Sequence, residues 1–160
     1  AMNAFHQTAL SFTGQNMGAK KVRRVKKILL ICLFCVTVTG LLMGTVALFF
    51  GKELLGIYSD DKAVIAFGYR RMLVIFTTYF LCGVMDVMVG SIRGMGYSIM
   101  PMIVSLLGAC GLRIVWIFSI FKMNPTPELL YVSYPVSWFI TFSVHVICFI
   151  FIYHKLVSTD

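Results

Sequence analysis

The sequence predicts an all-α membrane protein with four transmembrane helices and the tail of a fifth. Of its 160 residues, 59% are hydrophobic and 12% are charged, whereas about 25% of the residues in a soluble domain are charged. Four apolar runs alternate with short polar or basic connections, and each run is longer than the ~20 residues that a membrane span needs. A chain of this composition is expected to fold in lipid.

A basic cluster before the first span sets the expected orientation. Six of the fourteen Lys and Arg residues lie within positions 20–27, and the following residues, 28–51, carry no charged side chain. Moving one such cation through hydrocarbon costs about 2.5 kcal/mol or more, so the cluster is expected to stay in the cytoplasm. The protein is then a multi-pass protein of the cell membrane whose C-terminus, after His154 and Lys155, is also cytoplasmic.

The elements follow from the glycine and charge pattern. Residues 1–13 predict the tail of a helix, and residues 14–27 predict a basic cytoplasmic loop because Gly14 and Gly18 interrupt helical regularity. Residues 19–27 within that loop can form a short basic helix on the membrane surface. The four spans are expected at residues 28–50, 64–92, 99–121 and 129–153.

Small and capping residues mark the expected contacts and turns. Gly40 and Gly44 are four residues apart, a spacing that allows another helix to approach closely. Asp61 is a candidate N-cap of the second span, as are the two residues before it. Gly94 and Gly96 are expected to permit the sharp reversal between the second and third spans.

Ionisable groups at membrane depth are functional candidates. Asp86 is expected roughly 9 Å above the inner boundary and Arg113 roughly 21 Å above it, a height difference of about 12 Å that excludes an unassisted ion pair. Tyr79 and Thr78 lie closer to Arg113 in depth and are its expected partners. Arg113 is interpreted either as a clamp on backbone carbonyls or as a transport residue.

Asp86 is also open to two interpretations. A desolvated carboxylate attracts a proton or a sodium ion, which would make Asp86 a coupling residue. Alternatively, Asp86 is an inner-gate residue that reaches cytoplasmic water or Arg93. His145, a lone imidazole in the last span, is interpreted as a satisfied core histidine rather than as a proton relay.

Several function classes are disfavoured by what the sequence lacks. Cys32 and Cys35 have no second pair and no neighbouring His to complete a metal site. No G-x-x-x-x-G-K-[ST] phosphate loop and no nucleophile–base set is present, so an enzyme with a cofactor or metal is not expected. The net charge of +8 is explained by attraction to anionic lipid. The expected partner is therefore the lipid bilayer and not nucleic acid.

Three motifs resemble the MATE family, the multidrug and toxic compound extrusion transporters. Residues 14–21, GQNMGAKK, are similar to the inner loop after the second helix of a lobe. Residues 90–96, GSIRGMG, followed by Pro101, resemble the RG-x-G turn after the tenth helix, and residues 111–116, GLRIVW, are similar to the eleventh. The matching positions are Gly14, Gln15, Asn16 and Gly18 in the loop and Arg93, Gly94 and Gly96 in the turn.

The resemblance implies the last third of a twelve-helix carrier with two lobes, with this chain forming the C-terminal portion of the second lobe. Such carriers export cationic, amphiphilic drugs or metabolites in exchange for H⁺ or Na⁺, exposing a cavity to each side in turn. The partners would be the remaining N-terminal lobe and a small organic cation. Where the NorM-like branch has an acidic cation ligand, this chain has Cys82. Asp86, one turn further along the same face, is the expected substitute, and coupling through the other lobe is also open.

Two alternative functions are compatible with the sequence. A lipid-linked oligosaccharide flippase of the same superfamily needs a strongly basic cavity, and this chain has one deep arginine, Arg113. A small membrane scaffold protein of this length is the other alternative. A drug antiporter predicts dye efflux that collapses with an ionophore, a flippase predicts cell-envelope defects, and a scaffold predicts neither.

The two-lobe interpretation predicts the size of the native protein. An antibody to the C-terminal tail should detect, in native membranes, a protein of more than twice the 18.0 kDa of this chain. Intact mass measurement checks this expectation, and a mass near 18 kDa would contradict it.

Overall fold

The structure, a computed structural model, describes residues 1–158, which are helical and contain no strand. Its helices are α1 (Met2–Gly18), α2 (Arg23–Phe49), α3 (Gly51–Gly56), α4 (Lys62–Gly94), α5 (Ile99–Phe121) and α6 (Pro127–Ser158). Four of them, α2, α4, α5 and α6, are long and apolar enough to cross a membrane. This arrangement confirms the predicted fold class, in which α1 is the additional helix.

Neighbouring spans run antiparallel. Gly40 on α2 packs against Phe80 on α4, and Gly44 packs against Phe76, so residue numbers rise along one helix as they fall along the other. The prediction that this G-x-x-x-G pair serves close helix packing is confirmed. A Cβ atom at position 44 would lie 2.6 Å from the carbonyl oxygen of Phe76, closer than van der Waals contact permits.

The first helix runs parallel to α4. His6 packs against Gly90, and Leu10 packs against Gly94 four residues further along both helices. The C-terminal ends of α1 and α4 and the basic start of α2 therefore lie at the same end of the bundle. The core is concentrated there and includes Val25 and Ile92, both completely buried.

The predicted loop over residues 14–27 is wrong in extent, and so is the surface helix over residues 19–27. α1 continues through Gly14 to Gly18, because glycine is well tolerated in membrane helices that pack closely. Lys20 makes the turn with a φ of 55°, and α2 already begins at Arg23. Long basic side chains in this first turn can extend towards headgroups while their stems lie along apolar surface.

Gly94 and Gly96 were both expected to permit the reversal between α4 and α5, but they have different roles. Gly96 has a φ of +94° and makes the predicted reversal. Gly94, in contrast, is the last residue of α4, and a Cβ there would lie 2.7 Å from both the Leu10 carbonyl oxygen and the Thr13 Cβ. The prediction for Gly94 was therefore wrong, because this glycine serves the packing of α4 on α1.

The predicted cap of the second span is present. The Asp61 carboxylate accepts a hydrogen bond from the backbone N–H of Ala63, with an oxygen–nitrogen distance of 2.8 Å. This bond satisfies one of the unpaired donors at the start of α4. α4 therefore begins at Lys62, and α6 similarly extends beyond its predicted bounds, from 127 to 158.

Replacing Gly44 with alanine should lower the free energy of unfolding by about 1–3 kcal/mol, because α2 and α4 must separate to admit the methyl group. Thermal unfolding in detergent measures the change. The control is Gly18→Ala, since a Cβ at position 18 meets nothing within 4 Å. Equal stability of the two variants would contradict the close packing of α2 on α4.

Candidate functional site

Three of the predicted site residues share one face of α4. Tyr79, Cys82 and Asp86 have the spacing i, i+3, i+7, which places them along a single stripe about 10 Å long. All three are partly buried. The stripe is directed towards α5 and α6, because Tyr79 contacts Trp138 of α6 and Asp86 lies close enough to His145 of α6 to interact with it electrostatically.

Arg113 is held by α6. Its Nε donates a hydrogen bond to the Ser137 hydroxyl at 3.2 Å, and its guanidinium carbon lies 4.1 Å from the centre of the Tyr134 ring and 5.9 Å from that of Trp138. A guanidinium over an aromatic face at this distance is a cation–π pair. A cation is thus accommodated at membrane depth by aromatic faces and one hydroxyl group.

The predicted partners of Arg113 were wrong. Thr78 donates to the Val74 carbonyl of its own helix at 2.8 Å. Tyr79 is linked to Arg113 only through Trp138, and the ring centres of Tyr79 and Trp138 lie 6.3 Å apart. The carbonyl clamp is likewise replaced by a bond to the Ser137 hydroxyl. Depth along α4 and α5 could not identify these partners, because they belong to α6.

Asp86 lies between two imidazoles. His6 of α1 donates from Nδ1 to the backbone carbonyl of Asp86 at 2.8 Å, and both His6 and His145 interact electrostatically with the carboxyl group. Cys82 lies about one turn before Asp86 on the same face of α4. Asp86 and Arg113 form no ion pair, as their difference in depth predicted.

His145 is satisfied within the core, as predicted. It is completely buried, and its Nδ1 donates to the Thr141 carbonyl at 2.8 Å. With the hydrogen on Nδ1, Nε2 is free to accept from the Ser105 hydroxyl at 3.4 Å. His6 was not recognised from the sequence, because α1 contains several other polar residues and its histidine does not stand out among them.

The inner-gate interpretation of Asp86 gains no support from Arg93. The two side chains form no ion pair, and the Nε of Arg93 is buried without a hydrogen-bond partner among the described residues. Arg93 lies two turns further along α4, in its last turn. The gate role of Arg93 therefore stays a prediction, independent of Asp86.

The backbone of α5 is irregular where it faces the site. A π-helical segment, Leu106–Gly111, separates Ser105 from Arg113, and such i→i+5 turns occur frequently at functional sites. Within the segment, a Cβ at Gly108 would collide with the Thr141 side chain of α6. Close approach at Gly108 and the wider π turn together allow both Ser105 and Arg113 to reach α6.

The four inner-loop residues of the family motif lie in α1 and not in a loop. Asn16 donates from Nδ2 to the Phe12 carbonyl at 2.8 Å, and the Gln15 carbonyl accepts from the N–H of Ala19. Gly14 faces the Gly94 carbonyl oxygen, which would lie 3.8 Å from a Cβ at position 14. Gly18 ends the helix. These residues shape the turn into α2 and lie apart from the stripe on α4.

The described residues contain no group of three His, Cys, Asp or Glu side chains that could hold a metal ion. What they form instead is a series of polar contacts between the apolar helices, from Asp86 with His6 to Arg113 with Ser137 and Tyr134. Polar clusters at membrane depth are typical of transport pathways. Fold and cluster together define a multi-pass membrane protein of the transporter class.

Comparison with family models identifies that class. The MatE family model matches residues 2–119, which is most of the chain and covers α1 to nearly the end of α5. The chain therefore belongs to the MatE family, a family of membrane transporters and not of enzymes. Comparisons with curated proteins and with solved structures gave no match of comparable significance. The α6 partners of Arg113 lie beyond the matched residues.

Replacing Ser137 with alanine should lower the free energy of unfolding by about 1.5–3 kcal/mol, because Arg113 loses a charge-assisted hydrogen bond inside the bundle. Ser143→Ala on the same helix is the control, since the Ser143 hydroxyl is exposed and bonds only the Phe139 carbonyl. Thermal unfolding followed by tryptophan fluorescence compares them. Indistinguishable unfolding midpoints of the two variants would contradict the assignment of Ser137 as the partner of Arg113.

Proposed function

We propose that this chain forms part of the second lobe of a secondary active antiporter that exports cationic drugs or metabolites in exchange for H⁺ or Na⁺. The observation that carries the proposal is the polar stripe of α4, at Tyr79, Cys82 and Asp86, facing the aromatic residues of α6 within an apolar bundle. A family of membrane transporters supplies the general mechanism, alternating access between two lobes. The remaining lobe, the lipid bilayer and a small organic cation are the proposed partners.

The chemistry of the cluster suits a cation with apolar surface. Asp86 offers a negative charge, and the rings of Tyr79, Tyr134 and Trp138 offer faces that attract cations. Arg113 already occupies the face of Tyr134 at 4.1 Å, which demonstrates that the rings can be approached by a planar cation. An organic cation would compete with Arg113 for these faces.

Asp86 is the proposed coupling residue. Among the described residues it is the one Asp or Glu that lies more than a turn inside a span. An exporter must release its substrate when the coupling ion binds, and a single carboxylate that binds either cation achieves this by competition. His6, whose Nδ1 bonds the backbone carbonyl of Asp86, places an imidazole beside it, and imidazole is a group that can exchange protons.

The alternative functions are less well supported. A flippase for a lipid-linked oligosaccharide needs several basic groups in its cavity, whereas the cluster contains the single guanidinium of Arg113, already bonded to Ser137. The family match favours a transporter over a scaffold. A deletion strain with cell-envelope defects but undiminished dye efflux would reverse the preference for the antiporter.

Replacing Asp86 with asparagine should lower ionophore-sensitive efflux of a cationic dye by at least about tenfold, the effect of losing ~1.4 kcal/mol in the transport step. Everted vesicles with the full-length protein provide the measurement. The control is Asp60→Asn, the same substitution at an exposed residue between α3 and α4. Undiminished efflux by the Asp86 variant would remove Asp86 from the mechanism.

A further inference from the structure

A groove between α1 and α2 is not explained by the transport site. It has a volume of about 380 Å³ and is lined by Phe12 and Asn16 from α1 and by Arg24, Lys27, Ile28 and Ile31 from α2. It lies at the end of the bundle that carries the basic cluster. Its lining combines two cations, an amide and apolar side chains.

The cations and the apolar side chains occupy different heights. On α2, Arg24, Lys27, Ile28 and Ile31 follow the i, i+3, i+4, i+7 spacing of one helix face. From Arg24 to Ile31 the groove descends about 10 Å along the helix axis, from the charged first turn into the uncharged part of the span. Phe12 on α1 is 51% exposed and Ile31 is 54% exposed, so the deeper part offers open apolar surface.

Within the described residues, 1–158, no Asp or Glu lies in α1 or in the first turns of α2. No Asp or Glu occurs before Glu53, and within the described residues the one ion pair joins Arg70 to Glu128, both of which belong to the opposite end of the bundle. Arg24 and Lys27 are both exposed. Two adjacent cations over an apolar surface are complementary to a phosphate group attached to an acyl chain.

We propose that this groove, defined by the six residues named above, binds one anionic phospholipid from the adjacent leaflet. The lipid phosphate lies between Arg24 and Lys27, and an acyl chain runs down along Ile31 and Phe12. The amide of Asn16, fixed by its bond to the Phe12 carbonyl, lies at the level of the headgroup. By contacting both α1 and α2, the lipid stabilises the turn between them.

The test measures which lipids stay with the protein. The full-length protein is reconstituted into nanodiscs that contain equal amounts of phosphatidylglycerol and phosphatidylcholine, then released into detergent, and retained lipids are counted by native mass spectrometry. We expect retained phosphatidylglycerol to exceed phosphatidylcholine severalfold in the unaltered protein. Equal retention of the two lipids by the unaltered protein would overturn the proposal, whatever the variants show.

A charge-matched pair of variants distinguishes lipid binding in the groove from general attraction of anionic lipid to the basic cluster. Arg24→Gln/Lys27→Gln should abolish the phosphatidylglycerol enrichment, since each basic residue near the surface contributes about fivefold. Lys21→Gln/Lys26→Gln removes the same charge from the same cluster but outside the groove, and should lower it less than twofold. Equal losses of enrichment in the two pairs of variants would overturn the proposal that the lipid binds in the groove.

The apolar half of the groove is tested without changing any charge. Soluble glycerol phosphate, which carries the headgroup charge but no acyl chain, should not displace the retained lipid, and Phe12→Ala should shorten lipid retention. Displacement by glycerol phosphate would mean that the groove binds a phosphate group alone. That outcome also contradicts the proposal.

Discussion

The architecture depends on how closely other helices approach α4. α4 contacts each of the other helices, and against α1 and α2 it does so at positions where a side chain would not fit. Gly90 faces the His6 carbonyl oxygen, 2.5 Å from where a Cβ would lie, and Gly44 of α2 faces the Phe76 carbonyl. Lipid provides no hydrophobic driving force between helices, so this close packing is what holds the bundle together. The register that these glycines fix also orients the stripe that begins at Tyr79.

The proposed transport site depends on that register and on the irregular α5. Once α4 is fixed, Tyr79 of its polar stripe meets Trp138 of α6, which packs parallel to α4. α5 then adds Arg113, which reaches Ser137 because Gly108 and the π turn bring the two helices together. One end of the bundle is thus occupied by the core and the basic cluster, and the membrane interior contains the polar cluster.

Much of this could be predicted from the sequence, because lipid enforces simple rules. Apolar runs predicted the four spans, the spacing of Gly40 and Gly44 predicted a close contact, and depth predicted that Asp86 and Arg113 do not pair. The extent of α1 was missed because Gly14 breaks a helix in water but not in a packed membrane interface. The partners of Arg113 were missed because contacts across three helices, and a π turn between them, leave no periodic signal in the sequence.

The most direct test of the central claim uses Cys82, which lies between Asp86 and Arg113 in the proposed pathway. In a full-length protein whose single remaining cysteine is Cys82, the rate of labelling by a maleimide is measured in vesicles with and without a transported organic cation. We expect the cation to slow the labelling of Cys82, and we expect the Asp86→Asn substitution to abolish this protection. Labelling of Cys82 that is indifferent to a cation the protein still transports would contradict the placement of the pathway along this face of α4.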